Sequence, residues 1–120
     1  MGKAARVMIV DDNEHMAEVL AEMLDVFNVN TLSVQNGELA LRSLHDEPVS
    51  LVITDLRMPK MSGVDLLKSI KAQSPEIPVV VISGFTLTAE DDQTVREIAD
   101  GFLNKPFRME DIGQLLERLT

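Results

Sequence analysis

The chain has 120 residues, a common size for one domain, and its 45% apolar content is enough for one continuous core and no second domain. Twenty acidic against eleven basic residues leave a formal charge of −9, which disfavours direct contact with nucleic acid, since phosphate binding depends on clustered Lys and Arg. Having no cysteine excludes disulfides, thiolate metal sites and cysteine nucleophiles.

The start, Met1 to Arg6, passes straight into the apolar run Val7 to Val10 without a signal-peptide core, and no run approaches the roughly 20 residues needed to cross a bilayer. A cytoplasmic protein without membrane contact is expected. Val7 to Val10 reads as a first strand, rich in β-branched residues. Asn13 is placed to cap a first helix, in which Met16, Val19, Leu20, Met23, Leu24 and Phe27 recur on one face. Thr31 to Val34 alternates between apolar and polar residues, as a half-exposed edge strand does. After the Asn36-Gly37 turn, a second helix directs Leu41 and Leu44 inward and ends before Pro48.

Leu51 to Ile53 is the third strand. Ser62 and Asp65 then form a capping pattern before a helix that carries Leu66, Leu67 and Ile70 and stops at Ser74-Pro75. Val79 to Ile82 is the fourth strand. Thr88 and Asp91 repeat the capping pattern before a helix with a thin inward face of Val95, Ile98 and Ala99. The brief Phe102-Leu103 is the fifth strand, and a last helix sets Met109, Ile112, Leu115, Leu116 and Leu119 against the sheet. The near-continuous apolar strands imply burial on both faces of a parallel sheet. Five strands alternating with five helices predict an α/β fold with an open, doubly wound sheet in the order 2-1-3-4-5. Ligands of such sheets bind at the carboxyl ends of the strands, near the switch between strands 1 and 3.

Those ends carry Asp11 and Asp12 after strand 1, Asp55 after strand 3, Ser83 after strand 4, and Lys105 after strand 5. Three carboxylates in one small volume repel each other unless a proton or a cation sits among them. His15 and His45 fall on predicted helices away from the cluster, so the ligands are oxygens alone, which selects Mg²⁺ or Mn²⁺ over zinc. An acid trio with a lone lysine and a hydroxyl points to phosphoryl chemistry, for which a carboxylate can be the covalent acceptor. Taken singly, each strand end could merely carry polar residues, with Asp11, Asp12 and Asn13 capping a helix; four such ends together are hard to explain that way.

Four segments, Val10-Asp11-Asp12-Asn13, Thr54 to Gly63, Ile82-Ser83-Gly84 and Asn104-Lys105-Pro106-Phe107, resemble in order the signatures of the receiver domains of two-component response regulators. They span nearly the whole chain, so the resemblance makes residues 1–120 a single receiver domain of the flavodoxin-like (βα)5 type. It implies that Asp55 accepts a phosphoryl group from a phosphohistidine of a sensor histidine kinase or phosphotransfer protein. Asp11, Asp12, Asp55 and the backbone carbonyl of Arg57 would hold Mg²⁺ or Mn²⁺, while Ser83 and Lys105 would each meet a phosphoryl oxygen. Phe102 stands where the family has a switch aromatic, and Arg57 and Phe85 stand at positions that adjust phosphoryl lifetime. Such a domain assists its own modification and its later hydrolysis without being a conventional turnover enzyme. It meets its output domain or target through the face of helix 4, strand 5 and helix 5, where a phosphorylation-dependent homodimer also forms in the family.

Two residues depart from the family pattern: Gly84 stands where Ala is frequent, and Ile98 replaces a glycine that often ends the fourth helix. The loss of that glycine removes an easy left-handed C-cap, so the helix is expected to end differently. A haloacid-dehalogenase-like phosphatase wants its two aspartates at i and i+2, whereas Asp11 and Asp12 are adjacent. A flavodoxin-like cofactor domain is opposed by the absence of Trp, Tyr and a phosphate-cradling glycine loop. A receiver fold acting by contacts alone would not need the complete set of acids, hydroxyl and lysine.

Overall fold

A computed structural model describes residues 6–58, 60–84 and 87–119. Strands β1 (Arg6–Val10), β2 (Asn30–Val34), β3 (Leu51–Asp55), β4 (Val79–Ser83) and β5 (Gly101–Asn104) alternate with helices α1 (Glu14–Asp25), α2 (Gly37–Asp46), α3 (Gly63–Gln73), α4 (Ala89–Ile98) and α5 (Met109–Leu119). Every strand pairing is parallel and the order is β2-β1-β3-β4-β5, as the alternation of elements predicts. In register, Val10 lies beside Val34 and Thr54, Asp55 beside Ile82, and Ser83 beside Asn104. The residues that follow β1, β3, β4 and β5 therefore meet at one edge.

Successive side chains of a strand face opposite sides, and each side has its own core. Val7, Ile9, Leu51, Ile53, Val80 and Ile82 pack under α1 and α5, while Met8, Val10, Val52, Val79 and Val81 pack under α2, α3 and α4. Four caps start the helices at the site edge. The side chains of Asn13, Asn36, Ser62 and Thr88 accept from the backbone N–H groups of Met16, Leu39, Asp65 and Asp91 at 2.9–3.2 Å. Each bond satisfies a donor that has no partner within the helix and is worth about 1 kcal/mol.

Three local expectations differ from what the fold shows. Phe27 continues the apolar period of α1, yet the helix ends at Asp25, and Phe27 and Asn28 close back on Leu24 and Asp25 through tight N–H···O bonds. Asn28 then takes a left-handed φ of 61°, and the Phe27 ring, 37% exposed, lies over Gly113 of α5. Met109 is the first residue of α5 and is likewise 37% exposed, whereas Ile112, Leu115 and Leu116 further along the helix are buried. In β5 only Leu103 is fully buried: this is the second edge strand, covered on one flank only, and Phe102 is half-buried.

The fourth helix does end without a left-handed residue. Ala99 is extended (φ −76°, ψ 148°) and its N–H still reaches the carbonyl of Val95, so Ile98 is followed by an immediate turn into β5. The thin inward face is confirmed, since Val95 is the one fully buried residue of α4.

Candidate functional site

β1 delivers Asp11 and Asp12 to the same edge to which β3 delivers Asp55. One carboxylate oxygen from each of the three lies within 4.8 Å of the others. Asp11 is buried, at 8% exposure, whereas Asp12 faces solvent. Asp11 Oδ1 accepts from the N–H of Asn13 at 2.9 Å, and Asp55 Oδ1 accepts from the N–H of Leu56 at 2.9 Å. Lys105 extends from beyond β5 and brings its Nζ to 3.7 Å from Asp55 Oδ1. The Lys105-Pro106 peptide bond is cis.

Beneath the acids, Ile9, Ile53, Ile82, Met16, Leu20 and Phe107 surround a cavity of about 10 Å³, scarcely the space of one water molecule. With so little water below it, the Asp11 carboxyl is held above its ordinary range by burial. The Asn13 N–H opposes this; repulsion from Asp55 adds to it, Lys105 subtracts, and Asp12 adds again. A group of carboxylates under such strain fits a cation. The oxygen-only donor set suits Mg²⁺ or Mn²⁺, and His15 and His45 stand exposed on α1 and α2 outside the cluster.

Ser83, fully buried, ends β4 one residue beyond Ile82, the partner of Asp55. Its carbonyl accepts from the N–H of Lys105 at 2.9 Å, so hydroxyl and ammonium residues are joined through the backbone. Arg57 is exposed, two residues past Asp55, and Phe85 lies outside the described residues. Phe102 pairs with Val81 in register and lines an open groove with Leu87, Ala89, Asp92 and Arg96, which runs up to Gly84 and Lys105. A Cβ on Gly84 would meet Lys105 at 3.4 Å or more, an ordinary contact, so the departure from Ala changes little here.

Two features escaped sequence reasoning. Thr54, fully buried, donates its hydroxyl to the carbonyl of Asp55 at 2.9 Å. Gly63 donates its N–H to the carbonyl of Leu56 at 2.8 Å, and a Cβ there would strike the carbonyl oxygen of Asp55 and come 2.7 Å from Leu56 Cα. Only a residue without a side chain lets α3 begin against the end of β3. Both residues bound the segment Thr54 to Gly63 that carries the family resemblance, but nothing in the sequence says what either one touches.

A family model described as "Response regulator receiver domain" matches residues 7–117. The chain belongs to the response regulator receiver family. This receiver is 36% identical to "Two-component response regulator ORR5" of Oryza sativa subsp. japonica, with 98% of this chain and 90% of that protein aligned. It is 34% identical to part of "Autoinducer 1 sensor kinase/phosphatase LuxN" of Vibrio harveyi, covering 92% of this chain and 13% of that one. Among solved structures, a response regulator receiver protein from Pseudomonas putida superposes with a TM-score of 0.89 at 30% identity, over 98% of this receiver and 99% of that chain. The receiver thus matches relatives that are little more than one such domain and others in which the domain is a small part. Among its described residues no helix is long and apolar enough to cross a membrane.

Proposed function

We propose that this receiver is a phosphorylation-dependent switch in which Asp55 takes a phosphoryl group from a phosphohistidine of a sensor histidine kinase or phosphotransfer protein. The single observation that carries this is the convergence of three carboxylates within 4.8 Å, with the Lys105 ammonium 3.7 Å from Asp55. In the transfer, the P–N bond to the donor imidazole breaks as a bond forms from an Asp55 carboxylate oxygen to phosphorus, and the released imidazole retains the electron pair. Asp11, Asp12, Asp55 and the carbonyl of Arg57 would hold Mg²⁺ or Mn²⁺, which would supply positive charge to offset that of the phosphoryl oxygens.

The chain's own groups do the rest. Lys105 neutralises a phosphoryl oxygen, and Ser83 donates its hydroxyl to another. The Leu56 N–H, already bonded to Asp55 Oδ1, holds the carboxylate in one orientation. Movement of Ser83 toward the phosphoryl draws on the segment that leads to α4, and Phe102 shifts inward from its half-buried position beside the groove. The face of α4, β5 and α5 then meets an output domain, a target protein or a second copy of the chain. Arg57 and Phe85 hinder the water that returns Asp55 to its free form. The domain acts in the cytoplasm, assists its own modification without being a turnover enzyme, and makes no direct contact with nucleic acid, in keeping with a charge of −9.

Incubating the full chain with Mg²⁺ and acetyl phosphate tests this. One phosphoryl of added mass is expected on the wild type, none on Asp55→Asn, and none when EDTA replaces Mg²⁺. Wild-type protein that stays unmodified, or modification that survives Asp55→Asn, would refute the assignment; the first result would favour a receiver that works by contacts alone.

A further inference from the structure

The carboxyl end of α4 is fastened by charged and backbone groups of the described residues. Val95 is fully buried and Ile98 and Ala99 are half-buried, after which the next residue enters a polar knot. Asp100 donates its N–H to the carbonyl of Val79 at 2.8 Å, and its Oδ2 accepts from the N–H of Val79 at 2.8 Å. The same Oδ2 lies 2.6 Å from Lys71 Nζ, which also donates to the carbonyl of Ile77 at 2.8 Å. Lys71 is only 17% exposed, so this ammonium is drawn into the fold rather than left in solvent. One cation thereby joins the last turn of α3, the loop into β4 and the junction of α4 with β5, all at the sheet edge opposite the acid pocket.

At its other end α4 starts from the Thr88 cap, with Ala89 and Glu90 exposed, and residues 84–87 separate that cap from Ser83. The Arg96–Asp92 pair is solvent-facing, lies within the helix and ties it to nothing else. A ten-residue helix is a rigid rod of roughly 15 Å. With charge-assisted bonds at its carboxyl end and Val95 as its one fully buried residue, the helix is free to rotate about the fastened end more readily than to leave it.

We propose that Lys71 and Asp100 are positioning residues that make residue 100 the pivot of α4, so that a displacement at Ser83 tilts the helix instead of detaching it. The trigger of the tilt rests on the phosphorylation reading above, whereas the pivot is a property of the unmodified chain and is tested there. Amide hydrogen exchange is measured by NMR on the unmodified full chain for the wild type, Lys71→Met, Lys71→Arg and Asp100→Asn. In Lys71→Met, exchange at Val79, Ala99 and Asp100 should rise by about tenfold relative to amides of β1 and β3. Lys71→Arg, which keeps the charge, should restore most of the protection. Asp100→Asn, which keeps an acceptor for Val79 and discards the ion pair, should loosen the same three amides, and it decides the matter if Lys71→Met does not fold.

Exchange raised evenly over the chain, or no local change at all, would show that the ion pair does not fasten this end of the helix. Either result overturns the pivot, as does failure of Lys71→Arg to restore protection. In the wild type with Mg²⁺ and beryllofluoride, shift changes should be larger at Leu87 to Asp92 than at Val79 and Asp100, and Lys71→Met should level that gradient. Changes at Asp100 as large as those at Leu87 would also overturn it. Phosphorylation of Asp55 is scored separately by mass; its failure would remove the proposed function while the exchange data still decide the pivot.

Discussion

Replacing Asp11 by Asn should stabilise the metal-free protein. The substitution removes one of three negative charges and keeps an oxygen able to accept the Asn13 N–H bond. Unit charges 4.8 Å apart, the widest separation within the cluster, repel by about 3.5 kcal/mol at an effective dielectric near 20. Losing the attraction to Lys105 offsets part of that, and release from burying a charge adds to it, which leaves an expected gain of about 2 kcal/mol. In a domain of this size such a gain raises the melting temperature by roughly 6–12 °C. Thermal unfolding at pH 7 in EDTA, then in excess Mg²⁺, is the assay. The wild type should gain about 2.7 kcal/mol when Mg²⁺ reaches a hundred times its dissociation constant, and Asp11→Asn much less, so their order of stability narrows or reverses. The pH dependence has a definite sign. Because folding raises the Asp11 carboxyl above 3.8, the native chain keeps a proton that the unfolded chain has released between 3.8 and the folded value. Stability of the metal-free wild type therefore falls as pH rises through that window, and Asn should remove this contribution. A variant that melts below the wild type in EDTA, or that gains as much from Mg²⁺, would refute the electrostatic account.

Gly63→Ala should lose roughly 1–3 kcal/mol in urea unfolding, because its Cβ meets main-chain atoms of Asp55 and Leu56 that cannot rotate away, while Gly84→Ala should stay within about 0.5 kcal/mol. Equal losses at the two positions would contradict the close approach of α3 to the end of β3. Truncating Arg57 and Phe85 together to Ala should shorten the phosphoryl lifetime several-fold, read as loss of phosphoprotein after donor removal; an unchanged or longer lifetime would end their assigned role.

What the sequence made legible was whatever repeats or sits beside a pattern. Asn13, Ser62 and Thr88 stand immediately before periodic apolar runs and do cap helices. Asp11, Asp12, Asp55, Ser83 and Lys105 were traced to one edge from the direction of the strands alone, and register puts them there. Periodicity does not say where a helix stops, so Phe27 fitted the inward face of a helix that the left-handed Asn28 had already closed off. Nor does apolarity distinguish a central strand from an edge, which is why β5 looked more buried than it is. Lys71 and Asp100 lay furthest from view. Each is an isolated charge in sequence, ordinarily a solvated one, and they meet because α3 and the α4–β5 junction flank the amino end of the same strand.

The two polar clusters stand in opposite energetic positions, which in the proposed switch would let one covalent event be read at a distance. The acids at the carboxyl edge are mutually unfavourable without a cation, and a phosphoryl group adds further charge, about −1.5 to −2 at neutral pH. In the proposed switch, modification of Asp55 would redistribute the local partners: Lys105 cannot serve the carboxylate and the phosphoryl equally, and Ser83 is tied to the Lys105 backbone through its own carbonyl. Strain created there would be relieved at the start of α4, where Thr88, Ala89 and Glu90 are exposed. The Lys71–Asp100 knot is satisfied on every side described and has no reason to yield. In the proposed pivot, a helix pressed at one end and held at the other would change its angle to the sheet, and the groove lined by Phe102 is the surface whose shape that angle would set.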